Sequence, residues 1–95
     1  MTNLMTGSVR DNPELHRFEM DLGDSVAVAN YRETPGVITI FHTETPSRHQ
    51  GQGVASALVT GALDIIRARG QKVRARCPFV TVFLARHPEY QDLVG

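Results

Sequence analysis

A chain of 95 residues has room for one domain, and on folding it would bury roughly 60–65% of its extended surface. Its 41% hydrophobic content is that of an ordinary globular protein and excludes wholesale disorder. Ten Lys and Arg balance ten Asp and Glu, which gives no basic footprint for nucleic acid, and no apolar run approaches the ~18 residues of a membrane span.

The expected partners therefore include neither nucleic acid nor membrane. The one cysteine, Cys77, leaves no internal disulfide to form. That fits a reducing compartment, and with no charged-then-apolar leader at the start the expected location is the cytoplasm. No repeat or low-complexity stretch stands out.

Residues 1–13 carry few apolar side chains and the breakers Gly7, Asn12 and Pro13, and read as a flexible arm. Residues 15–22 alternate, with His16, Phe18, Met20 and Leu22 on one side and Arg17, Glu19 and Asp21 on the other, the period of a half-buried strand. Gly23-Asp24 marks a turn. Residues 25–32 follow as a second strand with Val26 and Val28 on one face, so the two should pair as an antiparallel hairpin. Pro35-Gly36 is a further turn. Val37–Glu44 is rich in β-branched residues and reads as a central third strand. Its alternation puts Ile38, Ile40, His42 and Glu44 on one face and Val37, Thr39, Phe41 and Thr43 on the other.

A long helix is expected over residues 51–69, where Val54, Leu58, Ala62 and Ile65 recur at helical spacing. Gly70 is its expected C′ residue. Gly61 inside it costs up to ~1 kcal/mol against Ala, which suggests a close packing point against the sheet. Residues 72–77 form a short fourth strand with Val73, Ala75 and Cys77 inward. Lys72, Arg74 and Arg76 face the other way, as a solvated basic stripe. Pro78 suits the first position of a second helix to Arg86, and 89–95 read as a tail. The order β-β-β-α-β-α predicts an α+β domain over residues 14–95, with a mixed four-stranded sheet and two helices. The third and fourth strands should be parallel neighbours.

The informative turn is Arg48-His49-Gln50-Gly51-Gln52-Gly53-Val54. Two glycines just before a helix let backbone approach a bulky group. Free N–H groups and the positive end of the helix dipole point into that loop, a recipe for holding a phosphate. Arg48 adds a charge. The turn resembles the acyl-coenzyme A loop of the GCN5-related N-acetyltransferase (GNAT) superfamily, with the pattern Gln/Arg-x-x-Gly-x-Gly/Ala. Here those positions are Arg48, Gly51 and Gly53. The flanking strand and helix match too, as do Cys77-Pro78-Phe79 and His87-Pro88-Glu89-Tyr90. The resemblance spans roughly residues 15–94 and is to the short, single-domain branch.

The resemblance implies a reduced GNAT core without the usual N-terminal helices. It implies acetyl-coenzyme A as acyl donor, its pyrophosphate held by Arg48, His49, Gln50, Gly51, Gln52, Gly53 and Val54. His49 departs from the glycine or small polar residue usual there. The implied reaction is acetyl transfer to a primary amine on a small molecule or a protein. Candidate proton acceptors are Glu44 first and His42 second, both near the end of the third strand, from which the superfamily often draws its base. Cys77, before a helix N-terminus, is either a reactive thiol or a small buried hydrophobe. Tyr90 sits where packing is the expectation, outside the helix that carries a tyrosine acid in many relatives. Two other readings stand beside this one: a module that binds coenzyme A without catalysis, and a thiol-based redox protein using Cys77. A monomer is expected, with a weak dimer as the alternative.

Overall fold

Among the described residues five strands form the sheet, one more than the four expected. They are β1 (Val9–Asn12), β2 (Arg17–Asp21), β3 (Val26–Thr34), β4 (Val37–Glu44) and β5 (Lys72–Ala75), in that spatial order. The computed structural model describes residues 9–95; residues 1–8 of the expected arm lie outside the described residues. Neighbouring strands are antiparallel except β4 and β5, which run parallel with Ile40 opposite Ala75. Helix α1 (Val54–Ala68) joins that parallel pair and α2 (Pro78–Arg86) follows β5. Short 3-10 turns occupy Ser47–His49 and Pro88–Leu93. Among the described residues no helix is long and apolar enough to cross a membrane.

The additional strand comes from the stretch read as an arm. Its sequence, Val-Arg-Asp-Asn, has one apolar residue and so no period to detect. Tertiary partners hold it instead. On the helix side, Tyr31 Oη donates to Asp11 Oδ1 at 2.7 Å and Arg69 pairs with Asp11 Oδ2 at 2.9 Å. On the other side, Arg17, Arg10 and Asn12 donate to the Glu19 carboxylate at 2.6, 2.9 and 3.0 Å. Glu19 is only 4% exposed. The Arg17 bond, helped by Asn12 and Arg10, holds its carboxyl below the ordinary value against the opposing effect of burial.

Glu19→Gln is expected to cost roughly 1–3 kcal/mol at pH 7, discounted because Arg10 is half exposed. A depressed folded-state value means this stability is present above the unfolded carboxyl value and is lost as pH falls through the folded one. Urea melts at pH 7 and pH 3 check it: the gap between parent and variant should narrow in acid.

The core lies between one face of the sheet and the two helices. Phe18, Met20, Ala27, Ala29, Tyr31, Ile38, Ile40 and Val73 supply the sheet side. Leu58, Val59, Ala62, Leu63 and Ile66 of α1 and Val80, Phe83 and Leu84 of α2 cover them. Helix α1 ends as expected: Gly70 takes φ +70°, its amide donates to Arg67 O, and Gln71 N donates to Ile66 O. These are the paired bonds of a Schellman cap. Gly61 is a packing point, and its partner is β1: a Cβ there would fall 2.5 Å from the Val9 Cβ. Helix propensity favours Gly61→Ala by about 1 kcal/mol, but overpacking costs about 1–3 kcal/mol. A net loss of stability is therefore expected in denaturant melts, and a more stable variant would contradict this packing.

The expected tail is also structured. Tyr90 and Leu93 are buried in the Pro88–Leu93 turn, with Tyr90 Oη donating to Asp64 Oδ1 of α1 at 2.9 Å. Two apolar residues are too few to show a period, so packing against α1 decides the conformation. Lys72 Nζ and Arg74 Nε donate to the backbone oxygens of Asp92 and Gly95 at 2.7 and 3.2 Å, so the first two members of the basic stripe clamp the C-terminal segment.

One irregularity re-aims the end of β4. Asn30 pairs with His42 but Tyr31 pairs with Ile40, so Phe41 is an extra residue in β4, a β-bulge. The bulge reverses the alternation beyond it. Thr43, opposite the buried Ala29, joins Ile38 and Ile40 on the helix face. His42, opposite Asn30, and Glu44, opposite Val28, turn to the open face. The expectation that they share a face with Ile38 and Ile40 is corrected accordingly; they do share a face with each other.

Candidate functional site

Beyond Glu44, the chain leaves the sheet through Thr45-Pro46, makes the Ser47–His49 turn and enters α1 through the glycine loop. Gly51 and Gly53 take φ of +80° and +79°, the left-handed region that glycine enters without steric cost. Gly53 is the N-cap of α1, whose first residue is Val54 and not Gly51, and no side chain caps this end. The orphan N–H groups of the first turn are thus left to water or to an anion.

These groups border a cleft of about 340 Å³. Its walls are Thr43 and Thr45 from β4 and its exit, His49, Gln50, Gly51 and Gly53 from the loop, Val54, Ala55 and Ser56 from α1, and Phe79 from α2. Five of the seven residues expected at the acyl-donor site therefore face it: His49, Gln50, Gly51, Gly53 and Val54. Arg48 and Gln52 do not line it. Arg48 instead meets Asp24 of the β2–β3 turn, which also bonds the cleft-facing His49. Gln50 Nε2 donates to Thr45 O at 3.2 Å and ties the loop to the end of β4. Sequence reading missed Thr43, Thr45, Ala55, Ser56 and Phe79. The Cys77-Pro78-Phe79 motif was a signal for Phe79, which is 37% exposed despite its size.

Cys77 lies after the end of β5, at the N-cap of α2, and is 5% exposed. Its Sγ is 3.5 Å from Thr43 Oγ1. Burial pushes the thiol up, but the Thr43 hydroxyl and the amides of Val80 and Phe79 outweigh it, and the thiol sits below its ordinary value. The strand register brings β4 beside the approach to Cys77, yet the bulge puts Thr43 there and carries His42 to the opposite face. His42 Nε2 and Glu44 Oε1 are 3.9 Å apart and both side chains are more than half exposed. The two candidate bases thus form a pair, on the open side of the sheet and off the cleft wall. Tyr90, bonded to Asp64, is held up in pKa by burial and that carboxylate, and its packing role is plain.

Comparisons with known proteins bear on the family and the fold. A sequence profile described as GCN5-related N-acetyl-transferase matches residues 17–93. The chain belongs to that family. Among solved structures, it is similar to the solution structure of a "GCN5-like putative N-acetyltransferase" from Staphylococcus aureus, with 26% identity and a TM-score of 0.71. The match covers 100% of this chain and 91% of that one. No curated protein matches. The matched span of this acetyltransferase-family chain begins at β2, so β1 lies outside it while the cleft, Cys77 and the His42–Glu44 pair lie within.

Proposed function

We propose that this protein transfers an acetyl group from acetyl-coenzyme A to a primary amine. The observation that carries the reading is the cleft at the start of α1. Two left-handed glycines precede an uncapped helix N-terminus, so backbone donors and the helix dipole converge on a space large enough for a phosphate-bearing chain. The residues fit the group. Loop amides from Gly51 to Val54 hold the pyrophosphate, and Val54, Ala55 and Phe79 give the pantetheine arm an apolar wall. The donor supplies an activated thioester carbonyl. The Glu44–His42 pair takes the proton from the incoming amine, directly or through water. Because that pair faces the open side of the sheet, the amine approaches from there, opposite the helices.

Cys77 serves as a neighbour and not as a covalent carrier. Its contact is the Thr43 hydroxyl, whereas a nucleophilic thiol needs a base beside it. The protein acts in the cytoplasm and as a monomer. A second reading, a coenzyme A-binding module without turnover, is favoured by the absence of both His42 and Glu44 from the cleft wall.

Three measurements decide. Calorimetry with acetyl-coenzyme A tests the site, and absence of binding sinks both readings. Thioester turnover with a panel of amines separates enzyme from module. Intact mass after incubation with acetyl-coenzyme A alone tests Cys77: a stoichiometric adduct that an added amine removes would establish the covalent route.

A further inference from the structure

Arg48 carries the permanent charge of the loop pattern, yet its guanidinium is not on the cleft wall. Its Nη1 lies 2.5 Å from Asp24 Oδ2, while His49 Nε2 lies 2.9 Å from Asp24 Oδ1. One carboxylate thus spends both oxygens on two consecutive residues of the loop. The β2–β3 turn is shaped to present it. Gly23 takes φ +91°, its amide donates to Asp21 Oδ1 at 2.9 Å, and Ser25 Oγ donates to Asp24 Oδ1 at 3.0 Å. His49, Arg48 and Ser25 together hold the Asp24 carboxyl well below the usual carboxylate range, and like any aspartate it is an anion at neutral pH.

A carboxylate joined to a guanidinium and a ring N–H makes the contacts that a phosphate would make in its place. The Arg48–Asp24 pair is exposed, with 72% and 42% of the two side chains accessible. Exposed pairs of this kind hold weakly and are screened by salt. A pyrophosphate brings more charge and more acceptor oxygens, and displaces it. We infer that Asp24 is the resident anion of the loop, holding Arg48 off the cleft wall and bonding His49 until a phosphate group of the ligand replaces it. Binding is then an exchange of one anion for another. Asp24 lowers affinity by one common factor for every ligand that must take Arg48 from it. This rests on reading the cleft as the pyrophosphate site.

The test is calorimetry with acetyl-coenzyme A at low ionic strength on the parent, Asp24→Asn, Arg48→Gln and the double variant. Asp24→Asn should bind about fivefold tighter, the effect of one unit charge at contact distance in water. The gain should shrink in about 0.5 M salt and vanish in the Arg48→Gln background. Unchanged or weaker binding by Asp24→Asn overturns the inference and leaves the cleft assignment standing, and a gain that persists without Arg48 also overturns it. A parent that binds no acetyl-coenzyme A overturns both. A second measurement needs no variant: NMR of the parent titrated with inorganic pyrophosphate. The Arg48 Nε–Hε and Asp24 carboxyl resonances should move together along one saturation curve. An Asp24 carboxyl that stays unmoved while Arg48 shifts overturns the exchange.

Discussion

Gly53→Glu is expected to weaken acetyl-coenzyme A binding by about 100-fold or more while the fold persists. Two effects act at this position and they separate cleanly. Gly53 sits at φ +79°, so any L side chain is strained there, by roughly 1–2 kcal/mol. The space itself is open: a Cβ at Gly53 meets nothing within 4 Å. Gly53→Ala therefore carries the strain alone and Gly53→Gln the strain and bulk without the charge, and the difference between the Gln and Glu variants reads the carboxylate. That carboxylate would stand among the N–H groups at the start of α1, repelling phosphates and bonding the donors they need. Circular dichroism melts accompany the titration to exclude loss of structure. A Glu variant that binds like the Ala variant would remove the loop from the site.

Glu44→Gln is expected to lower kcat by about 10²-fold with acetyl-coenzyme A affinity unchanged. The substitution keeps volume and removes basicity. Glu44 lies off the cleft wall, so the donor site has no reason to respond. His42 is its neighbour at 3.9 Å, beyond direct hydrogen-bond range, so a proton shared by the pair passes through water, and groups that share one proton act as a unit. The His42→Gln and Glu44→Gln losses should then fail to add, the double variant being little worse than the more damaging single one. Full additivity would indicate separate roles, and an undiminished kcat in Glu44→Gln would move proton removal to His42 or to water.

The glycine loop, β4 and both helices were legible in the sequence because their signals are local. A glycine's access to positive φ, a run of β-branched residues and a proline at a first helical position each act within a few residues. Val37–Glu44 and Pro78–Arg86 have the bounds read from the sequence, and Gly70 caps α1 as anticipated. Five cleft residues followed from the same loop pattern.

Sequence by itself thus determined the βα unit and the left-handed glycines of its turn, since dihedral preference and period belong to the chain alone. Tertiary structure decided which way the chemistry faces. Strict alternation sends His42 with Ile40, but strand pairing with β3 inserts Phe41 as an extra residue, and a one-residue offset moves every later side chain to the other face. It also decided β1, where one valine among polar residues is held by Asp11, Glu19 and the missing Cβ of Gly61. Asp24 reaches Arg48 across 24 residues of chain, and Phe79 reaches the cleft only because β5, which leads into α2, pairs beside β4. Contacts between distant segments leave no period in the sequence, because each is made once, by side chains that only the completed sheet brings together.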